Sequence, residues 1–109
     1  LQTQTVSMLL LNFAERNPGM TRVMIGDALV NEDGRLQLRM NQFFDRVELT
    51  LRQCLRLAAT QGQCREDMAQ LKSNLIMSYV IGKLFRFVKT QFKEKPTDGM
   101  QAQINYILA

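Results

Sequence analysis

The strongest constraint on the fold of this chain is a stretch near its C-terminal end that would form a helix with no polar side. The stretch covers residues 65–93, with acidic residues at its start and lysines at its end, which suits the dipole of a helix. Its central apolar residues are Leu75, Ile76, Met77, Tyr79, Val80, Ile81, Leu84, Phe85, Phe87 and Val88. A helix that is apolar all round must be covered on two sides. Because a small chain has few helices to spare for this purpose, the pattern favours a second copy as the cover.

Gly82, in the centre of this stretch, supports the same hypothesis. A glycine in the interior of a helix costs about 1 kcal/mol relative to alanine. Close approach of another helix is the reason we favour for keeping it there. Two copies that cross about a two-fold axis would supply that helix.

The rest of the sequence is also helical in its pattern and contains no convincing strand. The predicted helices span residues 3–16, 20–30, 32–60, 65–93 and 98–108. Asn17, Pro18 and Gly19 end the first helix, because proline interrupts the ladder of backbone hydrogen bonds. Asn31 and Thr97 are the predicted N-caps of the third and the last helix.

The first and the third helix differ in how far their apolar residues spread around the axis. The apolar residues of the first helix surround its axis almost completely, so we predict that this helix is largely buried. These residues are Val6, Met8, Leu9, Leu10, Leu11, Phe13 and Ala14. Those of the third helix fall within an arc of roughly 120°; they are Leu36, Met40, Phe43, Phe44, Val47, Leu51, Cys54, Leu55 and Ala58. The third helix is therefore predicted to be long and amphipathic, with arginines outside the apolar arc.

These patterns together predict an all-α fold in which a homodimer closes over the last two helices. We expect apolar side chains of these two helices, together with one glycine, to form the dimer interface. They are Tyr79, Val80, Gly82, Leu84, Phe87, Val88, Ile104 and Ile107.

The residue types that most enzymes need are missing from the sequence. There is no histidine, which removes the commonest general base and the commonest metal ligand. Cys54 and Cys64 lie ten residues apart without a second pair, so we expect no zinc site, and reduced thiols are favoured over a disulfide. The sequence therefore predicts no enzyme activity, no cofactor and no metal.

Length and charge set further limits. The chain has 109 residues, of which 46% are hydrophobic and 22% charged, as is typical of one folded domain. Its net charge of +4 favours acidic partners without indicating a dedicated nucleic-acid binder. No apolar run reaches the ~18 to 20 residues of a membrane span. Because the first residue is Leu1, we expect the chain to be a piece of a longer protein.

Several segments of the sequence resemble the C-terminal domain of nucleoid occlusion factors, a branch of the bacterial TetR family. The segments are LLLNFAERNPGMTR, NQFFDRVE with the following LTLRQ, and FRFVKTQFKEKPTDGM. The resemblance covers most of the chain and is loosest between Cys54 and Asn74.

This resemblance implies a TetR-like C-terminal domain of about five helices, the last two forming a four-helix-bundle dimer interface. It also implies that DNA is bound by an N-terminal helix-turn-helix domain that this chain lacks. In the family, the DNA-bound homodimer contacts the C-terminal tail of the tubulin-like division protein FtsZ and blocks assembly of the division ring over the chromosome. A cytoplasmic, nucleoid-associated protein is therefore expected.

The resemblance further implies that the FtsZ tail binds at Leu9, Asn12 and Arg16, with asparagine at the position where the family pattern has glycine. In a helix these positions share one edge, since they are three and four residues apart. An apolar side chain beside a guanidinium suits a peptide with both apolar and acidic groups. The alternative is that Leu9 belongs to the core and Arg16 is an ordinary cation at a helix end.

Two other functions remain open. The first is a C-terminal ligand-binding domain of a TetR-type repressor that responds to a small apolar molecule, with the methionine-rich interior as its pocket. The second is a free-standing helical interaction module. An open pocket of a few hundred Å³ with converging polar groups would favour the first of these, whereas a filled core would favour nucleoid occlusion.

Overall fold

The computed structural model describes residues 2–26, 34–62 and 65–109, and this part of the chain is helical with no strand. The elements in chain order are α1 (Gln2–Arg16), α2 (Pro18–Met24), α3 (Gly34–Thr60), a short 3-10 turn (Glu66–Met68), α4 (Ala69–Lys89) and α5 (Met100–Leu108). The predicted all-α fold is confirmed.

The bounds of α1 and α3 agree with the prediction to within two residues. The second helix begins at Pro18, which occupies its first turn, and ends at Met24, after which Ile25 and Gly26 form a turn with φ of 71° at Gly26. The predicted continuation of the helix through this turn is therefore wrong, while residues 27–30 and the predicted N-cap Asn31 lie outside the described residues. Pro18 can begin a helix because the first backbone N–H groups of a helix have no partner within it.

The predicted end of the fourth helix is wrong by four residues. The helix ends at Lys89, and Gln91 and Phe92 adopt left-handed backbone angles, with φ of 57° and 66°. Glycine or asparagine is the usual residue at such a position. Here contacts across the helix end hold the turn instead: the Phe92 amide donates to the Phe87 carbonyl oxygen at 2.7 Å, and the two rings meet edge to face with centroids 5.1 Å apart. The packed ring offsets the unfavourable backbone angles.

The predicted N-cap of the last helix is also wrong. The N-cap position of α5 is Gly99, with φ of 68°, and no side chain caps the helix there. Thr97 has another role, because its hydroxyl donates to Oε1 of Glu15 at 2.6 Å. This hydrogen bond ties the turn before α5 to the last turn of α1.

The core of the molecule surrounds α4, which packs against all four other α-helices. The buried residues that form one continuous apolar cluster are Leu11, Ala14, Met24, Leu51, Ile76, Met77, Val80, Leu84 and Ile104. The predicted apolar face of α3 contributes Leu51 to this cluster; Leu55 and Ala58 are also buried, whereas Phe43 is 38% exposed.

The prediction that α1 is largely buried is wrong. Its buried positions are Thr3, Ser7, Leu11 and Ala14, which lie on one face. Two of them are small polar residues, and the Ser7 hydroxyl donates to the Thr3 carbonyl oxygen at 2.7 Å. Small side chains permit close packing against α4 and α5. Apart from buried Leu11, the larger apolar residues of α1 are either half-buried against the core (Val6, Met8 and Leu10) or exposed (Leu9 and Phe13).

Candidate partner-binding surfaces

The three residues of α1 that were predicted to bind the FtsZ tail lie on its outer side. Leu9 is 64% exposed, Arg16 is exposed, and Asn12 between them is half-buried. The Asn12 side-chain amide donates to the Met8 carbonyl oxygen at 2.9 Å, so it lies along its own helix. Arg16 makes no ion pair with any residue that the structure describes. The alternative in which Leu9 belongs to the core does not fit this exposure.

Two further apolar residues are exposed near this edge, and the sequence pattern did not assign them to it. Phe13, one turn after Leu9, is 46% exposed, and Met20 at the start of α2 is 47% exposed. The signal that could have found Phe13 is the spacing of Thr3, Ser7 and Ala14. Those small residues identify the side of α1 that packs closely, and Phe13 lies away from it. We refer to Leu9, Asn12, Phe13 and Arg16 as the α1 edge.

The outer side of α4 is a second exposed apolar surface. Leu75, Ile81 and Phe85 are 47%, 37% and 50% exposed, although the helix is otherwise the centre of the core. Ile81 and Phe85 border an open groove of about 680 Å³ around Gly82, which is lined by Ser78, Tyr79, Ile81, Gly82, Lys83, Phe85 and Arg86. A Cβ atom added at Gly82 would meet no atom within 4 Å. Packing within the chain therefore does not explain this glycine.

This outer face continues onto α5 through an adjoining groove. The groove measures about 530 Å³ and is lined by Tyr79, Lys83, Arg86, Ala102, Gln103, Tyr106 and Ile107. Tyr106 is 85% exposed. The Tyr79 hydroxyl donates to Oε1 of Gln103 at 2.6 Å, which joins α4 to α5, and partial burial raises the pKa of Tyr79 above its usual value.

The structure divides the residues predicted for the dimer interface into two sets. Five of them are buried within their own chain; they are Val80, Leu84, Phe87, Val88 and Ile104. Tyr79, Gly82 and Ile107 line the two grooves. The sequence could not separate the two sets, because a helix with apolar residues all round gives no sign of which side faces its own chain. We refer to Leu75, Ser78, Ile81, Gly82 and Phe85 as the α4 outer face.

A third groove, of about 680 Å³, separates the N-terminal end of α1 from the C-terminal end of α3. It is lined by Gln2, Thr5, Val6, Cys54, Leu57, Ala58 and Gln61. Cys54 carries a free thiol and is half-buried, and Cys64 lies outside the described residues. This groove is the place where a small apolar ligand would be expected if the chain were a ligand-responsive regulator.

The described residues bring no three His, Cys, Asp or Glu side chains together as a metal site would require. No described helix is both long and apolar enough to cross a membrane.

In the described part of the chain, four α-helices packed around α4 form an all-α domain of the tetracycline repressor-like C-terminal class. More narrowly, the chain belongs to the SlmA-like family of these domains, which matches residues 1–109. This is a family of repressor-like domains and not a family of enzymes.

Curated relatives of the chain carry the name nucleoid occlusion factor SlmA. The relative from Idiomarina loihiensis is 49% identical over 100 residues, which are 90% of this chain and 50% of the relative. The relatives from Escherichia coli K12 and Sodalis glossinidius are 43% and 42% identical over 105 residues, which are 95% of this chain and 53% of each relative. The chain therefore spans about half the length of these relatives.

Proposed function

We propose that this domain is the dimerisation and partner-binding half of a nucleoid occlusion factor that inhibits assembly of the FtsZ ring over the chromosome. In this proposal the protein acts in the cytoplasm on the nucleoid, and DNA is bound by a helix-turn-helix domain outside this chain. The single observation that carries the proposal is the exposure of Leu9 and Arg16 together on the α1 edge, in a chain related to proteins of that name.

The α1 edge has the chemistry that an FtsZ tail peptide would need. Leu9 and Phe13 offer apolar surface, and the guanidinium of Arg16 lies at the end of the same helix, where the helix dipole is negative and favours a cation. Charge-assisted hydrogen bonds from arginine to a carboxylate are stronger than neutral ones. A peptide that combines apolar and acidic residues would therefore bind here better than one with either alone.

The α4 outer face supports the homodimer in this proposal. Exposed Leu75, Ile81 and Phe85 would be covered by the same residues of a second copy, as a two-fold interface requires. Ser78 and Gly82, one turn apart, would let the two helices approach closely at the crossing. With Tyr106 and Ile107 of α5 at its margin, the interface would take the form of a four-helix bundle.

The names of the relatives favour nucleoid occlusion over the ligand-responsive repressor, since none of the three relatives is named for a ligand. The ligand hypothesis would have to use the groove between α1 and α3, where Cys54, Leu57 and Ala58 provide most of the apolar lining.

The experiment that tests the proposal is titration of a fluorescein-labelled FtsZ tail peptide with the purified chain, read by fluorescence anisotropy. Arg16→Asp should weaken binding at least tenfold, because it replaces the cation with a group that repels the acidic peptide. The matched control is Lys93→Asp, which makes the same change of charge at an exposed position that is not part of the α1 edge. Equal affinity of Arg16→Asp and the wild type would remove the α1 edge from the function.

A further inference from the structure

The positive charge of the chain is concentrated on α3. This helix contains five arginines, no lysine and two carboxylates, so it carries +3 of the net charge of +4, and the rest of the chain is nearly neutral. All five lysines lie in or after α4. The proposed dimer and the proposed FtsZ site use α4, α5 and α1, so neither of them explains this distribution.

The exposed side of α3 combines these arginines with isolated leucines. Leu38 and Leu49 are 56% and 41% exposed, on the side of the helix opposite to buried Leu51 and Leu55. They are eleven residues apart, which is three helical turns, or roughly 16 Å along the axis, so they lie on one line. Asp45, seven residues after Leu38, lies on the same line, whereas Arg39 and Arg46 lie to one side of it, and all three are exposed. We refer to Leu38, Arg39, Arg46, Leu49 and Arg56 as the arginine face.

The arginine face offers guanidinium groups that no carboxylate of the described chain neutralises. Arg39, Arg46 and Arg56 form no ion pair within residues 2–26, 34–62 and 65–109. Nε of Arg52, on the same helix, is shielded from solvent and has no hydrogen-bond partner among the residues that the structure describes. Buried donors are normally paired in native structures. The exposed guanidinium groups of Arg39, Arg46 and Arg56 would gain partners if carboxylates were placed along the helix.

We propose that the arginine face binds an acidic helical segment of another protein, with apolar residues three turns apart between its carboxylates. Protein interfaces are enriched in arginine and depleted in lysine, which matches the contrast between α3 and the rest of the chain. The planar guanidinium pairs with a carboxylate through two parallel hydrogen bonds, which an ammonium group cannot do.

The leucines distinguish this partner from the two other anionic surfaces that arginines bind. A DNA or RNA backbone would pair with the arginines but would leave Leu38 and Leu49 without an apolar partner. A membrane would require a broad apolar face on the helix. The broad apolar face of α3 already packs in the core through Leu51, Leu55 and Ala58.

The contact area available on one side of a single helix places this interaction among weak and transient ones. Because the arginines are exposed, the attraction is screened by salt over about 10 Å at 0.1 M. The affinity should therefore be micromolar and should fall with increasing ionic strength.

The test uses a labelled, glutamate-rich helical peptide with two leucines eleven positions apart, and a scrambled peptide of the same composition. The wild-type chain should bind the first peptide at least fivefold more tightly than the second. The double substitution Arg39→Glu and Arg46→Glu should weaken binding of the first peptide at least tenfold. Leu49→Asn, which keeps every charge, should weaken it about threefold. Lys93→Glu, a matched charge reversal away from α3, should have no effect, and circular dichroism should show that each variant is folded.

Three results would overturn the proposal. Equal binding of the ordered and the scrambled peptide would show that only charge is recognised. Unchanged binding by the double variant would place the peptide elsewhere on the molecule. The third result has two parts: the wild type does not bind the ordered peptide, and it binds duplex DNA or anionic vesicles in a way that the double variant loses. That result would assign the arginine face to nucleic acid or membrane instead.

Discussion

The two sides of α4 consist of the same kinds of residue and differ in what covers them. Leu84 is fully buried within the chain, whereas Phe85, the next residue, is 50% exposed; Val80 and Ile81 show the same contrast, at 0% and 37%. The inner side is covered by α1, α2, α3 and α5, whereas the large side chains of the α4 outer face remain 37–50% exposed in the described chain. Residue type alone does not distinguish the two sides. One side of the helix stabilises the fold, and the other is available for association.

The largest effect that separates the two sides is expected for Phe85→Glu. It places a charge in the middle of the proposed interface, and each dimer would then bury two such charges without partners. Dimerisation should weaken at least a thousandfold, or about 4 kcal/mol, while the helical content of the chain stays unchanged. Sedimentation velocity gives the first quantity and circular dichroism the second. A variant that unfolds would instead show that Phe85 belongs to the core.

On the inner side, Leu84→Ala should reduce the free energy of unfolding by about 3 kcal/mol, because it leaves a cavity in a packed cluster. The matched substitution on the outer side is Ile81→Ala, which should change it by less than about 1 kcal/mol. Both should be measured by urea unfolding in the Phe85→Glu background, where association does not contribute to stability. Equal losses would mean that the two sides of α4 are not distinct.

A smaller effect on association should follow from Gly82→Leu. Within one chain the new side chain has room, since a Cβ atom at this position meets no atom within 4 Å. Replacing glycine also favours the helix by up to about 1 kcal/mol. In the Phe85→Glu background, we therefore expect Gly82→Leu to leave the free energy of unfolding unchanged or higher. In the otherwise wild-type chain, it should weaken dimerisation about tenfold. Dimerisation that is unaffected by this substitution would place the helix crossing away from Gly82.

The smallest effect concerns Tyr79, at the boundary between the two sides. Partial burial raises the pKa of its hydroxyl, so the folded state holds this proton more tightly than the unfolded state does. As the pH rises above about 10, the unfolded state loses the proton first, and the free energy of unfolding of the wild type should fall. Tyr79→Phe lacks this contribution, so its stability should decline less between pH values of about 9 and about 11, as measured by urea unfolding. Identical pH profiles would contradict the burial of the hydroxyl.

Much of the fold could be predicted from the sequence because periodicity and chain-breaking residues are local signals. Pro18 and the apolar spacing of α3 placed the helices to within a few residues. The end of α4 could not be predicted in this way, since the packing of Phe92 on Phe87 holds a left-handed turn that lacks the usual glycine. Thr97 looked like a cap, but its hydroxyl bonds to Glu15, a residue far away in the sequence.

For the candidate surfaces, the sequence could identify the kind of residue but not the side of the helix. Leu84 and Phe85 are equally apolar, and only the positions of α1, α3 and α5 decide which of them is covered. On α1, the same ambiguity led to Phe13 being assigned to the core, although it is 46% exposed. Leu9 and Arg16, which only the resemblance to nucleoid occlusion factors predicts as binding residues, are both exposed, and their role stays a prediction.

The most direct test of the difference between the two sides of α4 is sedimentation equilibrium of the wild-type chain at several concentrations. If the α4 outer face is covered by a second copy, the measured mass should approach twice the chain mass of 12.6 kDa as the concentration rises. A mass that stays at 12.6 kDa at all concentrations would contradict a role of the α4 outer face in dimerisation.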